Sequence, residues 1–175
     1  FHVNLIDMNV KSINIPLAKG DFTYDNKEKL TGQIIIDSNN FTGNINLKSF
    51  NNNNYDISGN LHLDGYNINR YLHLKERNII SGEIDFNIRQ NDGIYRLDFI
   101  TLCEYGYLLG NEFDRFSAKG EFTVIDSIIT GKSEGSIDNW IILTYEWPNI
   151  DYNIEYSNLV TSTYSVSAFG TLGDL

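Results

Sequence analysis

One short phrase recurs along this chain: an apolar residue, a glycine two positions later, and two further apolar residues at the same spacing. The copy within residues 80–89 is clear, because Ile80, Gly82, Ile84 and Phe86 alternate there with polar residues. A period of two places successive side chains on opposite faces of a strand. Each copy therefore predicts a strand with one apolar and one polar face. Six full copies occupy residues 18–24, 30–36, 41–47, 57–63, 80–86 and 118–124.

Each copy carries its glycine in phase with the apolar side chains, so the glycines belong to the apolar face. We assign a structural role to this set: Gly20, Gly32, Gly43, Gly59, Gly82 and Gly120. A glycine on the inner face of a strand removes side-chain volume and lets a sheet bend strongly across its strands. The sequence therefore predicts a curled sheet.

The spacing of the copies indicates how the strands connect. Polar turn residues such as Asp25–Lys27 and the asparagine run at residues 51–54 separate them by short steps. Short steps favour hairpins, because parallel neighbours need a crossover of about a dozen residues. Only three alanines occur, which favours strands over helices. We predict an all-β fold: an antiparallel meander forming a strongly curved, open, groove-like sheet (a β-taco), with a closed β-sandwich or barrel as the alternative.

Two stretches interrupt the alternation. Residues 65–79 could form about one helical turn, centred on residues 70–74, and residues 103–117 are expected to be a loop with a short helix. No linker composition marks a domain boundary. We therefore expect residues 1–175 to be a single all-β segment, and the first residue, Phe1, suggests a segment of a larger repetitive protein.

The net charge and the pattern of cysteine, histidine and carboxylate residues exclude several classes of function. The net charge of −10 argues against a nucleic-acid partner and against docking on anionic lipid surfaces. Cys103 is the one cysteine, and His2, His62 and His73 form no metal-ligand pattern. We therefore expect no metal, no cofactor and no catalysis. The paired carboxylates of a polysaccharide hydrolase remain the weaker alternative, since Glu83 and Asp85 share one strand face.

The apolar face is the remaining signal. A curled sheet that does not close leaves a line of apolar side chains facing an empty groove, and such surfaces are rare unless something binds there. The groove is predicted to be lined by these residues: Ile34, Ile36, Ile45, Leu47, Leu61, Leu63, Ile84, Phe86, Ile88, Phe122 and Val124. Six strands line roughly 25–30 Å, on the order of one extended acyl chain.

The same phrases resemble the AsmA-like family, which includes the translocation and assembly module protein TamB. The resemblance lies in residues 30–32, 41–47, 57–72 and 79–86, where a glycine precedes an alternating apolar run, and in the tail at residues 164–172. It covers residues 18–100 well and the rest loosely. The family implies a lipid-conducting β-groove that spans the periplasm from an inner-membrane anchor helix, which this chain lacks.

The resemblance thus implies a periplasmic conduit segment that binds phospholipid acyl chains for inner-to-outer membrane lipid transport or outer-membrane assembly. It also implies an outer-membrane partner of the TamA/BamA type, and anchoring by a helix outside this segment. An alternative from another class is an adhesin or fibre-type carbohydrate-binding β domain. Its sugar-reading residues would be the tyrosines of the last part of the chain: Tyr145, Tyr152, Tyr156 and Tyr164.

Overall fold

The computed structural model describes residues 2–10, 13–25, 29–38, 40–51, 54–69, 75–142, 144–158 and 165–170. These residues form twelve strands of one sheet. The strands are β1 (His2–Val10), β2 (Ile13–Tyr24), β3 (Leu30–Asp37), β4 (Phe41–Asn51), β5 (Asn54–Asn67), β6 (Ile79–Asn91), β7 (Ile94–Leu108), β8 (Asn111–Phe113), β9 (Arg115–Ile125), β10 (Ile128–Ile142), β11 (Tyr145–Ser157) and β12 (Ser165–Gly170).

The strands follow one another across the sheet in chain order, and every pairing is antiparallel. The short strand β8 pairs with β7 just beyond the stretch where β9 pairs with the same strand. Among the described residues, β1 and β12 lie at opposite ends of the order and do not pair with each other. The predicted all-β, open and curved antiparallel meander is confirmed, and the closed sandwich or barrel is wrong.

One expectation about the interruptions is also wrong. Most of residues 103–117 are strand, because β7 continues to Leu108 and β9 begins at Arg115. Ser81 pairs with Tyr105 while Gly82 pairs with Cys103, so Glu104 is an extra residue, a β-bulge. A bulge shifts the phase of alternation, and this shift hides the strand from a period-two reading. The helical turn expected around residues 70–74 lies outside the described residues.

Cross-strand register separates the two faces of the sheet. On β6, Ile84, Phe86 and Ile88 pair with apolar or small residues of β5, whereas Glu83, Asp85 and Asn87 pair with His62, Asn60 and Ser58. The same division continues along the sheet because consecutive hairpins keep the register. We call these the apolar face and the polar face.

Two clusters of buried side chains form the core. The first joins Ala18, Ile36, Phe41 and Leu63, and the second joins Cys103, Phe113 and Ile137. Ile80 packs against both clusters. The core therefore lies along one edge of the apolar face, with Ile80 connecting its two halves.

The backbone around Gly82 is restricted by the two neighbouring strands. Glu104 is the extra residue on β7, and β5 carries another one between Leu63 and Tyr66. The amide of Gly65, within this second bulge, donates a hydrogen bond to Ser81 Oγ (2.8 Å). Bulges on both neighbouring strands bend the sheet at this point. Gly82 has φ of 155°, and a Cβ added there would collide with the backbone of Leu102 and Cys103.

We expect Gly82→Ala to lower the free energy of unfolding by about 3 kcal/mol or more, because the β6–β7 pairing must open to admit the methyl group. Gly93→Ala is the control: Gly93 also has a positive φ, of 82°, but nothing lies within 4 Å of its added Cβ. It should cost only about 1 kcal/mol. Urea unfolding measures both values, and equal losses would contradict the assigned close approach at Gly82.

Candidate functional site

Three rows of mainly apolar residues and glycines, with Thr101 and Ser133 among them, cross the sheet on the apolar face, perpendicular to the strands. We name each row after its β6 member. From β2 to β10, the Ile84 row contains Ala18, Ile36, Gly43, Leu61, Ile84, Thr101, Ala118 and Gly135. The Phe86 row contains Gly20, Ile34, Ile45, Gly59, Phe86, Phe99, Gly120 and Ser133. The Ile88 row contains Phe22, Gly32, Leu47, Ile57, Ile88, Leu97, Phe122 and Gly131. None of these residues is charged.

The structure places all eleven predicted groove residues on this face. Nine of them belong to the three rows. Leu63 lies one row further toward the core, where it pairs with Phe41 and Gly82. Val124 lies on the other side, where it pairs with Tyr95. Whether lipid contacts these side chains stays a prediction.

Several glycines in the rows are covered by an aromatic side chain of their own strand or of the neighbouring one. The Phe22 ring lies over Gly20 of its own strand and over Gly32 of β3. The Phe86 ring lies 2.8 Å from where a Cβ of Gly59 would stand, and Phe99 covers Gly120 in the same way, at 2.6 Å. The glycine positions are therefore filled by flat aromatic rings, an arrangement known to stabilise glycine in sheets.

The same glycines also allow adjacent strands to approach closely on the apolar face. An added Cβ would lie 2.5 Å from the carbonyl oxygen of Asn60 at Gly43, and 2.7 Å from that of Asn44 at Gly59. At Gly120 it would lie 2.8 Å from the carbonyl oxygen of Lys132. Side chains do not tolerate such distances. We conclude that adjacent strands approach closely at these positions, as glycine permits.

Many of the row side chains are only half-buried. Among the described residues there is no second layer that packs on them, since all twelve strands belong to one sheet. Ile57, Ile88 and Leu97 are intermediate in exposure, whereas Ile100 on the polar face is 61% exposed. The Ile88 row is therefore partly accessible, whereas Ala18, Ile36 and Ala118 of the Ile84 row are buried.

A more polar row borders the apolar rows on the side away from the core. It contains Tyr55, Gln90 and Tyr95, which pair with one another in register, and the rings of Tyr55 and Tyr95 meet edge to face at 6.4 Å. Tyr24, 61% exposed, lies in the same row toward β2. Tyrosine rings with an apolar body and a polar tip suit a boundary between apolar surface and water. The row forms a polar rim on β2 and on β5 to β7, whereas Leu30, Val124 and Ile129 continue the apolar surface in the same row.

The polar face carries cross-strand charge pairs. Lys119 Nζ lies 2.7 Å from Glu134 Oε1, and Lys132 Nζ lies 3.3 Å from Glu121 Oε1. The hydrogen bond from Lys119 lowers the pKa of Glu134, and the same bond raises the pKa of Lys119. Each lysine thus faces a glutamate of the adjacent strand. Such pairs stabilise the register of exposed strands only modestly.

Two of the three histidines lie on this face and pair with carboxylates. His62 Nδ1 is 2.7 Å from Glu83 Oε1, and His2 Nδ1 is 2.6 Å from Asp21 Oδ1. His73 lies outside the described residues. No group of three or more histidine, cysteine, aspartate or glutamate side chains in the described ranges is arranged to hold a metal ion.

An open groove of about 1020 Å³, which the alternation in the sequence does not predict, crosses the polar face. Its walls come from seven strands, β4 to β7 and β9 to β11. A twisted sheet is saddle-shaped, so each face is concave along one diagonal. The lining side chains of the polar face are Asn44, Asn46, Ser58, Asn60, Asp85, Asn87, Asp98, Ile100, Lys119, Glu121, Lys132, Glu134, Asn153 and Glu155.

Two of the tyrosines assigned to the carbohydrate alternative share a face. Tyr152 and Tyr156 lie on the apolar face of β11, where they pair with Gly135 and Gly131. Tyr152 stacks on Phe116 at 6.1 Å, and burial raises the pKa of its hydroxyl. Tyr145 is 69% exposed at the start of β11, and Tyr164 lies outside the described residues. Whether these tyrosines bind a sugar stays a prediction.

Comparison with known proteins finds no matching family model, no matching curated protein and no matching solved structure. Within the described part of the chain, no helix has the length and apolar character needed to cross a membrane.

Cys103 belongs to the core rather than to a reactive site. It is 1% exposed, and burial raises the pKa of its thiol, while the Thr101 hydroxyl 3.8 Å away opposes this shift. A raised pKa favours the neutral thiol in the folded state. The resulting stabilisation is fully present below the unfolded thiol's pKa of ~8.5 and is lost as the pH rises through the folded pKa.

We therefore expect a disulfide-exchange reagent to label Cys103 slowly in native protein at pH 7.5 and rapidly in urea. Labelling reports opening of the core beside β7, since a buried thiol reacts only when it becomes accessible. Both rates are measured from the absorbance of the thiol that the reagent releases. Immediate stoichiometric labelling without denaturant would contradict the burial of this residue.

Proposed function

We propose that this chain is a lipid conduit segment whose apolar face binds the acyl chains of phospholipid. One observation carries the proposal: three apolar rows without a charged residue cross eight strands of a single sheet. Most side chains of these rows are only half-buried, and a large apolar surface that the fold leaves partly accessible is characteristic of binding surfaces.

The dimensions suit an acyl chain. Eight strands at ~4.8 Å spacing make each row ~34 Å long. One leaflet of a bilayer has a hydrocarbon thickness of ~15 Å, half of the ~30 Å core. A sixteen-carbon chain needs ~13 kcal/mol of shelter from water, at ~0.8 kcal/mol for each methylene. A row interrupted by a charge would lose part of this shelter.

The tyrosines beyond the Ile88 row support the placement of lipid on this face. Tyr55 and Tyr95 lie one row beyond Ile88, in a row that runs parallel to the apolar rows. An acyl chain lying along a row therefore has these tyrosines on its flank and its headgroup at one end of the row. Aromatic rings with hydroxyl tips favour such boundaries between apolar surface and water.

The cellular setting of the proposal comes from the sequence resemblance to the AsmA-like family. In that setting the segment lies in the periplasm, is anchored to the inner membrane by a helix outside it, and passes phospholipid toward an outer-membrane partner of the TamA/BamA type. It acts by binding, without catalysis or a cofactor.

The first test uses three consecutive residues of β6. A photoreactive side chain at Ile84 or Phe86 should capture phospholipid in living bacterial cells, and the same side chain at Asp85 should capture little. The reason is strict alternation: Ile84 and Phe86 face the apolar side, and Asp85 faces the other. Mass spectrometry of the adducts identifies the lipid. Equal capture at all three positions, or none, would contradict the proposal.

The second test introduces a charge into the middle of a row. Ile88→Asp should reduce phospholipid binding by about tenfold or more, because an unpaired carboxylate among methylenes is costly. Binding is measured by lipid transfer from vesicles to the protein.

Thr123→Asp is the control for this second test. It adds the same charge on the polar face, next to Phe122 of the Ile88 row, and it should leave lipid transfer unchanged. Both variants should stay folded, since Ile88 is only half-buried. Unimpaired transfer by folded Ile88→Asp would remove the Ile88 row from the lipid path.

A further inference from the structure

We propose that the groove on the polar face is a second binding site, for a neutral oligosaccharide chain. This inference is independent of the lipid proposal, because it concerns the opposite face of the sheet. It rests on the shape of the groove, the chemistry of its lining and its charge.

The floor and walls of the groove have a regular origin. Five of its lining residues alternate with the polar-face residues of their own strands: Gly59, Phe86, Phe99, Gly120 and Ser133. Their side-chain positions belong to the apolar face, so their backbones form the floor. The walls are the flanking polar side chains. The groove thus crosses the strands, as an extended chain ligand requires.

Amide side chains dominate the uncharged part of the lining. Asn44, Asn46, Asn60, Asn87 and Asn153 all contribute to it. An asparagine amide both donates and accepts hydrogen bonds, and a sugar hydroxyl does the same. The match between amides and hydroxyls therefore favours a polyhydroxylated ligand.

Two further features of the groove suit a sugar chain. Asn87 Oδ1 is buried without a hydrogen-bond partner among the described residues, so an acceptor is unused there. Ile100, 61% exposed, lies between Asp85 and Lys119 in register. Its side chain is an apolar surface in an otherwise polar groove, and such a surface packs well against the C–H face of a pyranose ring.

The charge of the groove lining distinguishes between anionic, basic and neutral ligands. The lining has five carboxylates and two lysines, so an anionic polymer is repelled. Three of the carboxylates already have partners: Glu121 and Glu134 pair with lysines, and Asp85 accepts a hydrogen bond from Asn60 (2.9 Å). A basic peptide would therefore find few free carboxylates. A neutral chain fits the lining better.

The test is titration of the 175-residue chain with linear neutral oligosaccharides of glucose and of N-acetylglucosamine, followed by NMR and calorimetry. We expect at least one of them to bind. The double variant Asn60→Ala/Asn87→Ala should weaken this binding by about tenfold, because two amides that contact the ligand are lost. Circular dichroism verifies that the variant is folded.

Asn4→Ala is the matched control. Asn4 is exposed on the polar face and belongs to the same cross-strand row as Asn44 and Asn60, but it lies on β1, outside the groove. Its loss should leave binding within about twofold of the unaltered chain. Binding of only polylysine or only an anionic polysaccharide, no binding at all, or equal weakening by Asn4→Ala would overturn the proposal.

Discussion

The packing of glycine against a ring or a carbonyl of the neighbouring strand is the interaction on which this sheet depends. At Gly59 one position meets both: the Phe86 ring covers it from β6, and the Asn44 carbonyl approaches it from β4. Any larger residue would separate these strands. Repeated across the sheet, this packing keeps the strands close together and the rows in register without a second layer among the described residues.

Alternation along each strand makes the two faces different in chemistry. The side chains of the uncharged rows are buried or half-buried, and their apolar character is what an acyl chain needs. The polar face is covered by amides and by charge pairs such as Lys119 with Glu134. Antiparallel register fixes which residues share a row. A shift of the register by one residue on one strand would therefore move the apolar side chains of that strand to the polar face.

Period-two reasoning was sufficient for the strands that carry the glycine phrase, because local alternation determines which face each side chain takes. It failed at residues 103–117, where the bulge at Glu104 interrupts the phase. It also left the polar groove unseen, since a groove depends on the twist accumulated over seven strands. The ring over Gly59 could not be predicted either, because it follows from the pairing of Gly59 with Phe86. That pairing is set by the register between two strands and not by local alternation.

The central claim is that the apolar face holds acyl chains in solution. Native mass spectrometry of the chain, purified without detergent from a bacterial periplasm, tests it most directly. The account predicts a population of the protein whose mass is raised by bound phospholipid and returns to that of the free chain on gentle activation. Preparations that contain only the free chain, with the fold intact, would contradict it.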